Sequence, residues 1–343
     1  MRNGRPWSAT RCCRCGTATP RSTTRWTRSA PRPTTSSKPS TERGWEGMPP
    51  HGLRPQGRDR AWLLLLLAPT LLGLLLGALG SVVATAGLSL LHWDLLTPPG
   101  WAGLENYADL AGDRGFLKAL GNTLAFSALY VPLTVAISLG VALLLNRRVT
   151  WVGLFRALYF LPVITSPTAV GLIWSWIFAQ DQGLLNGIVT ALGLDPVRWL
   201  GPRMVLVSVV IVNVWGAIGE GMIVFLAGLQ AVPRDYYEAA RIDGAKPRHQ
   251  LLYITLPLMV PSLFFQIVLS TIHAFQAFDY IYILTRTGTG GSTLPTVVYS
   301  IYRTGFGFFR MGDAAAQSLT LAAMILVLTL GYFRLQKRWG MPA

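Results

Sequence analysis

An all-α integral membrane protein with six transmembrane helices is the fold class this sequence predicts, on three observations. Hydrophobic residues make up 51% of the 343-residue chain and charged residues only 13%, about half the charged share of soluble domains. So little charge cannot coat a water-soluble globule, whereas lipid can solvate apolar surface. Six apolar runs follow one another between residues 62 and 333. Each is long enough, at about 1.5 Å per helical residue, to cross a hydrocarbon core of about 30 Å. Finally, lysines and arginines gather in the segments that alternate runs place on one side of a bilayer.

The chain opens with a basic tail, residues 1–60. It holds 13 Lys/Arg against 3 Asp/Glu, which leaves 17 against 12 for all the rest. The net charge of +15 is therefore largely local. Residues 1–47 are rich in Arg, Ser, Thr and Pro and lack apolar periodicity. Such a segment cannot offset its ordering entropy and is expected to be disordered. Met48 stands just ahead of Arg54, Arg58, Arg60 and the first apolar run, an alternative translation start that would leave 1–47 unmade. Nucleic-acid binding needs basic residues on a folded, aromatic-bearing surface, and a disordered tail does not supply one. Cys12 and Cys15 have C-x-x-C spacing, but no second pair or nearby His completes a site. His51, His92, His249 and His273 are scattered, so no metal and no cofactor are expected.

The first transmembrane helix is expected over 61–91, its apolar run spanning 62–91. A secretory leader is the competing reading, with Ala84-Thr85-Ala86 as its cleavage site, but a leader's apolar region is only about 7–15 residues long. The later spans are expected over 119–145, 155–178, 204–229, 258–284 and 314–333, within a core of 117–334. Their Gly and Pro residues are tolerated in lipid. Arg147, Arg148 and Arg156 flank one loop, Arg234, Arg241, Lys246 and Arg248 lie in another, and Arg334, Lys337 and Arg338 form the tail. These cations mark the cytoplasmic side and put both termini there. Trp93, Trp101, Trp174 and Trp176 fall near the opposite ends of spans, where aromatic belts form.

The loop 233–257 between the fourth and fifth spans carries a short helix. Pro233 suits its first turn, Asp235 favours the positive end of the dipole, and Gly244 can take the left-handed position that ends a helix. Arg234 and Glu238 are i,i+4 partners, in the weaker order for such a pair. Ala239 and Ala240 let another surface approach the backbone closely.

Glu238-Ala239-Ala240, Gly244 four residues beyond, and Ile254-Thr255-Leu256-Pro257 after nine more resemble the EAA loop of binding-protein-dependent ABC importer permeases. The sugar-uptake branch, which includes maltose and glycerol-phosphate permeases, is resembled more widely, over about 61–338. Gly103-Leu104-Glu105-Asn106-Tyr107, Asn122-Thr123-Leu124, Phe225 to Gln230, Phe275 to Asp279 and Gly312 to Ser318 carry that likeness. Arg286 to Gly291 departs from it, since relatives have a shorter turn there. The resemblance implies a type-1 ABC permease fold in a bacterial plasma membrane. It implies that Glu238, Ala239, Ala240, Asp243 and Gly244 form a coupling helix that docks on an ATPase subunit. The partners implied are a second, related permease, two ATPase subunits, an extracytoplasmic solute-binding protein and a small sugar. The chain has no G-x-x-x-x-G-K-[ST] phosphate loop and no catalytic constellation, so it is not expected to be an enzyme.

Polar residues inside spans are costly and face a cavity or a partner. Asn213, Ala217 and Glu220 share one helix face by 3–4 spacing, beside Trp215, and Ser270, His273 and Ala277 share another, beside Gln276. Together Asn213, Trp215, Ala217, Glu220, Ser270, His273 and Gln276 form the candidate cargo path. Their hydrogen-bonding groups suit sugar hydroxyls, and Trp215 can stack on an apolar sugar face. By the family resemblance, Asn213 and Ser270 stand at substrate-contact positions. The bland alternative is hydrogen bonding between helices. Asp279, near the outer end of its span, is read as structural. The same machine with glycerol phosphate, polyamine or peptide as cargo remains an alternative, as does an ion-coupled carrier. The EAA spacing argues against the carrier.

Overall fold

The structure, a computed structural model, describes residues 57–146, 151–287 and 294–338. The tail calls at Cys12, Cys15 and Met48, the loop cations Arg147 and Arg148, and the turn 288–291 lie outside the described residues. The chain divides into two units, Met1–Leu65 and Leu66–Ala343. Of the first, only the opening of helix α1 is described.

Helix α1 (Gly57–Gly73) passes through a π-helical segment, Leu74–Leu79, into α2 (Gly80–Leu88). The apolar span Leu65–Leu88 buries none of its length in this chain. Leu66 and Leu76 are 72% and 68% exposed, so the first part of this span is open to lipid or to another chain, while α2 packs on the chain's last described helix, Met311–Arg338. A two-stranded antiparallel hairpin follows, β1 (Leu91–His92) on β2 (Gly100–Trp101), with Leu91 opposite Trp101. Helix α3 (Glu105–Gly112) comes next. Asn106, 1% exposed, ties it to the preceding chain by donating to the carbonyls of Ser89 at 2.8 Å and Leu91 at 3.1 Å. Tyr107 donates to Ser89 Oγ at 2.8 Å. The G-L-x-N-Y segment is thus a structural staple.

Helix α4 (Arg114–Leu145) begins where Asp113 accepts the Gly115 N–H at 2.7 Å. It is continuous over 32 residues. The third expected span, by contrast, is two helices: α5 (Val152–Ile164) and α6 (Pro167–Ile177) meet at 99°. Pro167 forces Ser166 out of the helical region (ψ 124°), as the residue before a proline must be. Thr165 is extended as well, at ψ 144°. Helix α7 (Leu184–Ala191) lies beyond. There the buried Asn186 donates to the carbonyls of Gln180 and Val197 at 3.0 and 2.9 Å, and accepts from Val197 N–H and Trp199 Nε1, each at 3.0 Å.

Helix α8 (Val205–Ala231) is the hub. It packs on α4, on α5 and on the helices that follow. Two glycines set the closest approaches. A Cβ at Gly219 would fall on the Tyr159 carbonyl of α5, and one at Gly228 on Ser262 Oγ. Phe126, Val209, Val212, Ile281 and Leu284 fill one core cluster around this helix, and Ala142, Met222, Phe225 and Met259 fill a second.

The chain then forms α9 (Arg234–Ile242), α10 (Pro247–Gln250), a π-helical segment Leu251–Thr255 and α11 (Leu256–Leu258). It bends by 68° at Met259 into α12 (Val260–Phe275). The expected continuous span over 258–284 is also divided, farther along. It pauses at Gln276 and resumes as α13 (Asp279–Thr287), with Asp279 in its first turn. Helix α14 (Val297–Tyr302), a π-helical segment Arg303–Gly307 and α15 (Met311–Arg338) complete the described chain. By length and composition four helices can cross a membrane, or six if each bent pair counts as one span.

Candidate functional site

Two features stand out. The first is the segment α9 and its exit. Pro233 precedes the helix with extended ψ of 138° instead of entering its first turn. At the other end Gly244 takes φ of +73°. Its N–H donates to the Arg241 carbonyl at 3.0 Å, and Ala245 N–H donates to the Ala240 carbonyl at 2.8 Å. This pair of bonds is the Schellman motif, which satisfies helix-end carbonyls and needs a left-handed residue. No atom lies within 4 Å of where a Gly244 Cβ would stand, so backbone conformation alone demands glycine here.

Glu238, Ala239, Asp243 and Gly244 are exposed, and Ala240 is half-buried. No ion pair joins Arg234 to Glu238 among the described residues, in keeping with the weaker order of the pair. Glu238, Arg234 and Arg241 line a cleft of about 800 Å³ between α9 and the ends of α4 and α8. Outside it, Ile242 is 87% exposed and Tyr236 54% exposed. A short helix thus presents a carboxylate, Ala239 and the side chains of Tyr236 and Ile242 to its surroundings, with Ala240 half-buried.

The second feature is polar and lies within the spans. Glu220 of α8 and His273 of α12 meet at 3.8 Å, each about two-fifths exposed. Asn213 is half-buried and donates to the Val209 carbonyl of its own helix at 2.8 Å. Trp215 stands edge-on to Trp174 of α6, with ring centroids 5.8 Å apart. Ala217 is half-buried, and Gln276 is exposed at the end of α12. Ser270 is set apart from these: 1% exposed, it accepts from Gln266 Nε2 at 3.1 Å. Gln266, which the sequence reading passed over, is 3% exposed and leaves Oε1 without a protein partner. Its signal was present in the sequence, because Ser262, Gln266, Ser270 and His273 follow one another at helical 4–4–3 spacing.

Comparison with known proteins agrees with this architecture. Residues 133–339 match the family described as binding-protein-dependent transport system inner membrane component. A probable ABC transporter permease protein, YesP of Bacillus subtilis, is 33% identical over 279 residues, covering 80% of this chain and 89% of that protein. The trehalose/maltose transport system permease protein MalF of Thermococcus litoralis is 35% identical over 276 residues, covering 79% and 92%. Among solved structures, the bacterial alginate ABC transporter in complex with alginate pentasaccharide-bound periplasmic protein aligns with a TM-score of 0.72. It shows 25% identity and covers 82% of this chain and 96% of that one.

Proposed function

The chain belongs to the binding-protein-dependent transport system inner membrane component family, and from that premise we propose that it carries a sugar across the membrane as one of two related permease subunits. It is a multi-pass membrane permease of an ABC importer, and ATP is hydrolysed on a separate chain. In the proposed assembly α9 docks on one of two ATPase subunits through Glu238, Ala239, Ala240, Asp243 and Gly244. An extracytoplasmic binding protein delivers cargo to the opposite face, and both termini lie in the cytoplasm. Closure of the ATPases on ATP would draw the coupling helices together and switch the path between its two accessibilities.

The observation that carries the coupling assignment is the exposed α9 ended by Gly244 at φ +73°. A helix of nine residues with no buried side chain contributes little to the fold and is available to a partner. For the cargo, the support is the Glu220–His273 pair and, elsewhere on α8, the Trp215 indole paired with Trp174 of α6, together with relatives named for trehalose, maltose and alginate. Asn213, Trp215, Ala217, Glu220, His273 and Gln276 line the proposed path, and Ser270 supports it from behind.

The test is uptake by proteoliposomes holding the full complex, with labelled maltose, trehalose, an alginate oligosaccharide and glycerol 3-phosphate. Uptake of at least one saccharide, dependent on ATP and on the binding protein, is expected. Exclusive uptake of glycerol 3-phosphate, or uptake without ATP, would overturn the reading.

A further inference from the structure

Helix α9 has no fully buried side chain. Only Tyr237 and Ala240 are half-buried, and Tyr237 alone reaches the apolar cluster that includes Leu229 and Met259. Clefts of about 800 and 320 Å³ open on either side of it, and the same three residues, Asn146, Leu229 and Tyr237, line both. The helix therefore stands off the membrane core, and the Tyr237 side chain is the strut between them.

The polar end of that strut is specific. Tyr237 Oη lies 3.0 Å from Thr255 Oγ1, and Thr255 is 5% exposed. Thr255 Oγ1 donates to the Gln250 carbonyl at 3.2 Å. A hydroxyl has a single proton, so at Thr255 the oxygen accepts and the Tyr237 hydroxyl donates. The contact from Thr255 to a carbonyl five residues earlier is one that the π-helical winding of Leu251–Thr255 allows. Gln250 Nε2 donates in turn to the Ala245 carbonyl at 3.1 Å, and Ala245 N–H returns to Ala240 of α9 at 2.8 Å. A chain of hydrogen bonds, closed through the α9 backbone, thus ties α9 to the π-helical segment, which leads through α11 and the 68° bend at Met259 to α12, the helix carrying Ser270 and His273.

We propose that the Tyr237–Thr255 hydrogen bond is the joint through which movement of α9 reaches α12, making both positioning residues for coupled transport. This rests on the assignment of α9 as the helix that docks on the ATPase. Without the joint, α9 can swing in its flanking clefts while α12 stays still, so ATP is spent without a matching movement of cargo.

The experiment uses the full complex in proteoliposomes and measures, in the same vesicles, the labelled sugar that wild type takes up and the phosphate released. Tyr237→Phe keeps the ring and its packing; Thr255→Val keeps the shape and loses the hydroxyl. In both, the ATPase should still co-purify and ATP should still be hydrolysed. Sugar moved per ATP should fall about 2- to 12-fold, the equilibrium weight of one hydrogen bond. The double variant should be no worse than either single one, and Thr255→Ser should behave as wild type. A wild-type ratio in Tyr237→Phe and Thr255→Val overturns the proposal, and so does loss of the ATPase from both, which would make them docking residues. Glu238→Ala separates the premise from the proposal: unchanged ATPase recovery and stimulation in that variant would remove the coupling-helix assignment itself.

Discussion

Glu220 Oε2 and His273 Nδ1 face each other at 3.8 Å and join α8 to α12 in the membrane-spanning body. Neither helix alone has a partner for its residue, and a solitary carboxylate in a span costs several kcal/mol on most scales. Each side chain is also about two-fifths exposed, so the pair is open to whatever occupies that surface. We expect Glu220→Gln to favour anionic cargo over neutral cargo relative to wild type, because it removes a negative charge from the proposed path. A half-exposed pair is worth about 0.2–1 kcal/mol, so a change of up to about 5-fold in the ratio of uronate to neutral-sugar uptake is the scale to look for. An unchanged ratio would assign the pair to helix packing.

Asn213 and Ser270 should separate in their phenotypes. Ser270→Ala strands the Gln266 amide, whose other end already lacks a protein partner. A buried unsatisfied group costs about 1–3 kcal/mol, and thermal unfolding of the detergent-solubilised protein should report it. Asn213→Ala removes only a bond to its own helix and should leave unfolding nearly unchanged while raising the KM for uptake. Equal unfolding temperatures for both variants would contradict the assignment.

At the cytoplasmic loop, Glu238→Ala should leave insertion intact, since alanine is the best helix former. Recovery of the ATPase, or its stimulation by loaded binding protein, should drop. Gly244→Val should be worse. A side chain at φ +73° costs about 1–2 kcal/mol for an ordinary residue and more for a β-branched one, so the exit of the loop would turn elsewhere. Gly244→Asn should be milder, because asparagine tolerates the left-handed region. Co-purification of the three variants gives the order directly.

Packing around α8 offers a sharp contrast between glycines. Gly219→Ala would set a methyl group on the Tyr159 carbonyl, backbone that cannot step aside. Overpacking of this kind costs about 1–3 kcal/mol and should lower the unfolding temperature. Gly121→Ala meets nothing within 4 Å and should be neutral or stabilising, by up to about 1 kcal/mol, the helix-propensity difference. Unfolding curves of the two single variants decide it.

Much of this was legible in the sequence. The apolar runs, the helix ended by Gly244 and the EAA spacing are local properties. A run of apolar residues forms a helix in lipid because the backbone must satisfy itself within the segment. A Schellman turn needs only a few consecutive residues and one that accepts positive φ. The divided spans were not legible: a proline inside a membrane helix is tolerated, so Pro167 gave no sign of the 99° bend it accompanies.

The sequence by itself determined that this chain lies in a membrane, roughly where its apolar spans fall, and that a short helix closed by Gly244 stands between two of them. Tertiary structure alone decided that Glu220 meets His273, that Ser270 turns to Gln266 rather than to its predicted companions, and that Tyr237 anchors α9 to Thr255. The reason lies in the solvent. A soluble helix announces its buried face by the contrast between apolar and polar stripes. A helix in lipid is apolar all round, and small residues and isolated polar groups govern its packing. Hydropathy therefore marks the span and is silent on which face meets which neighbour.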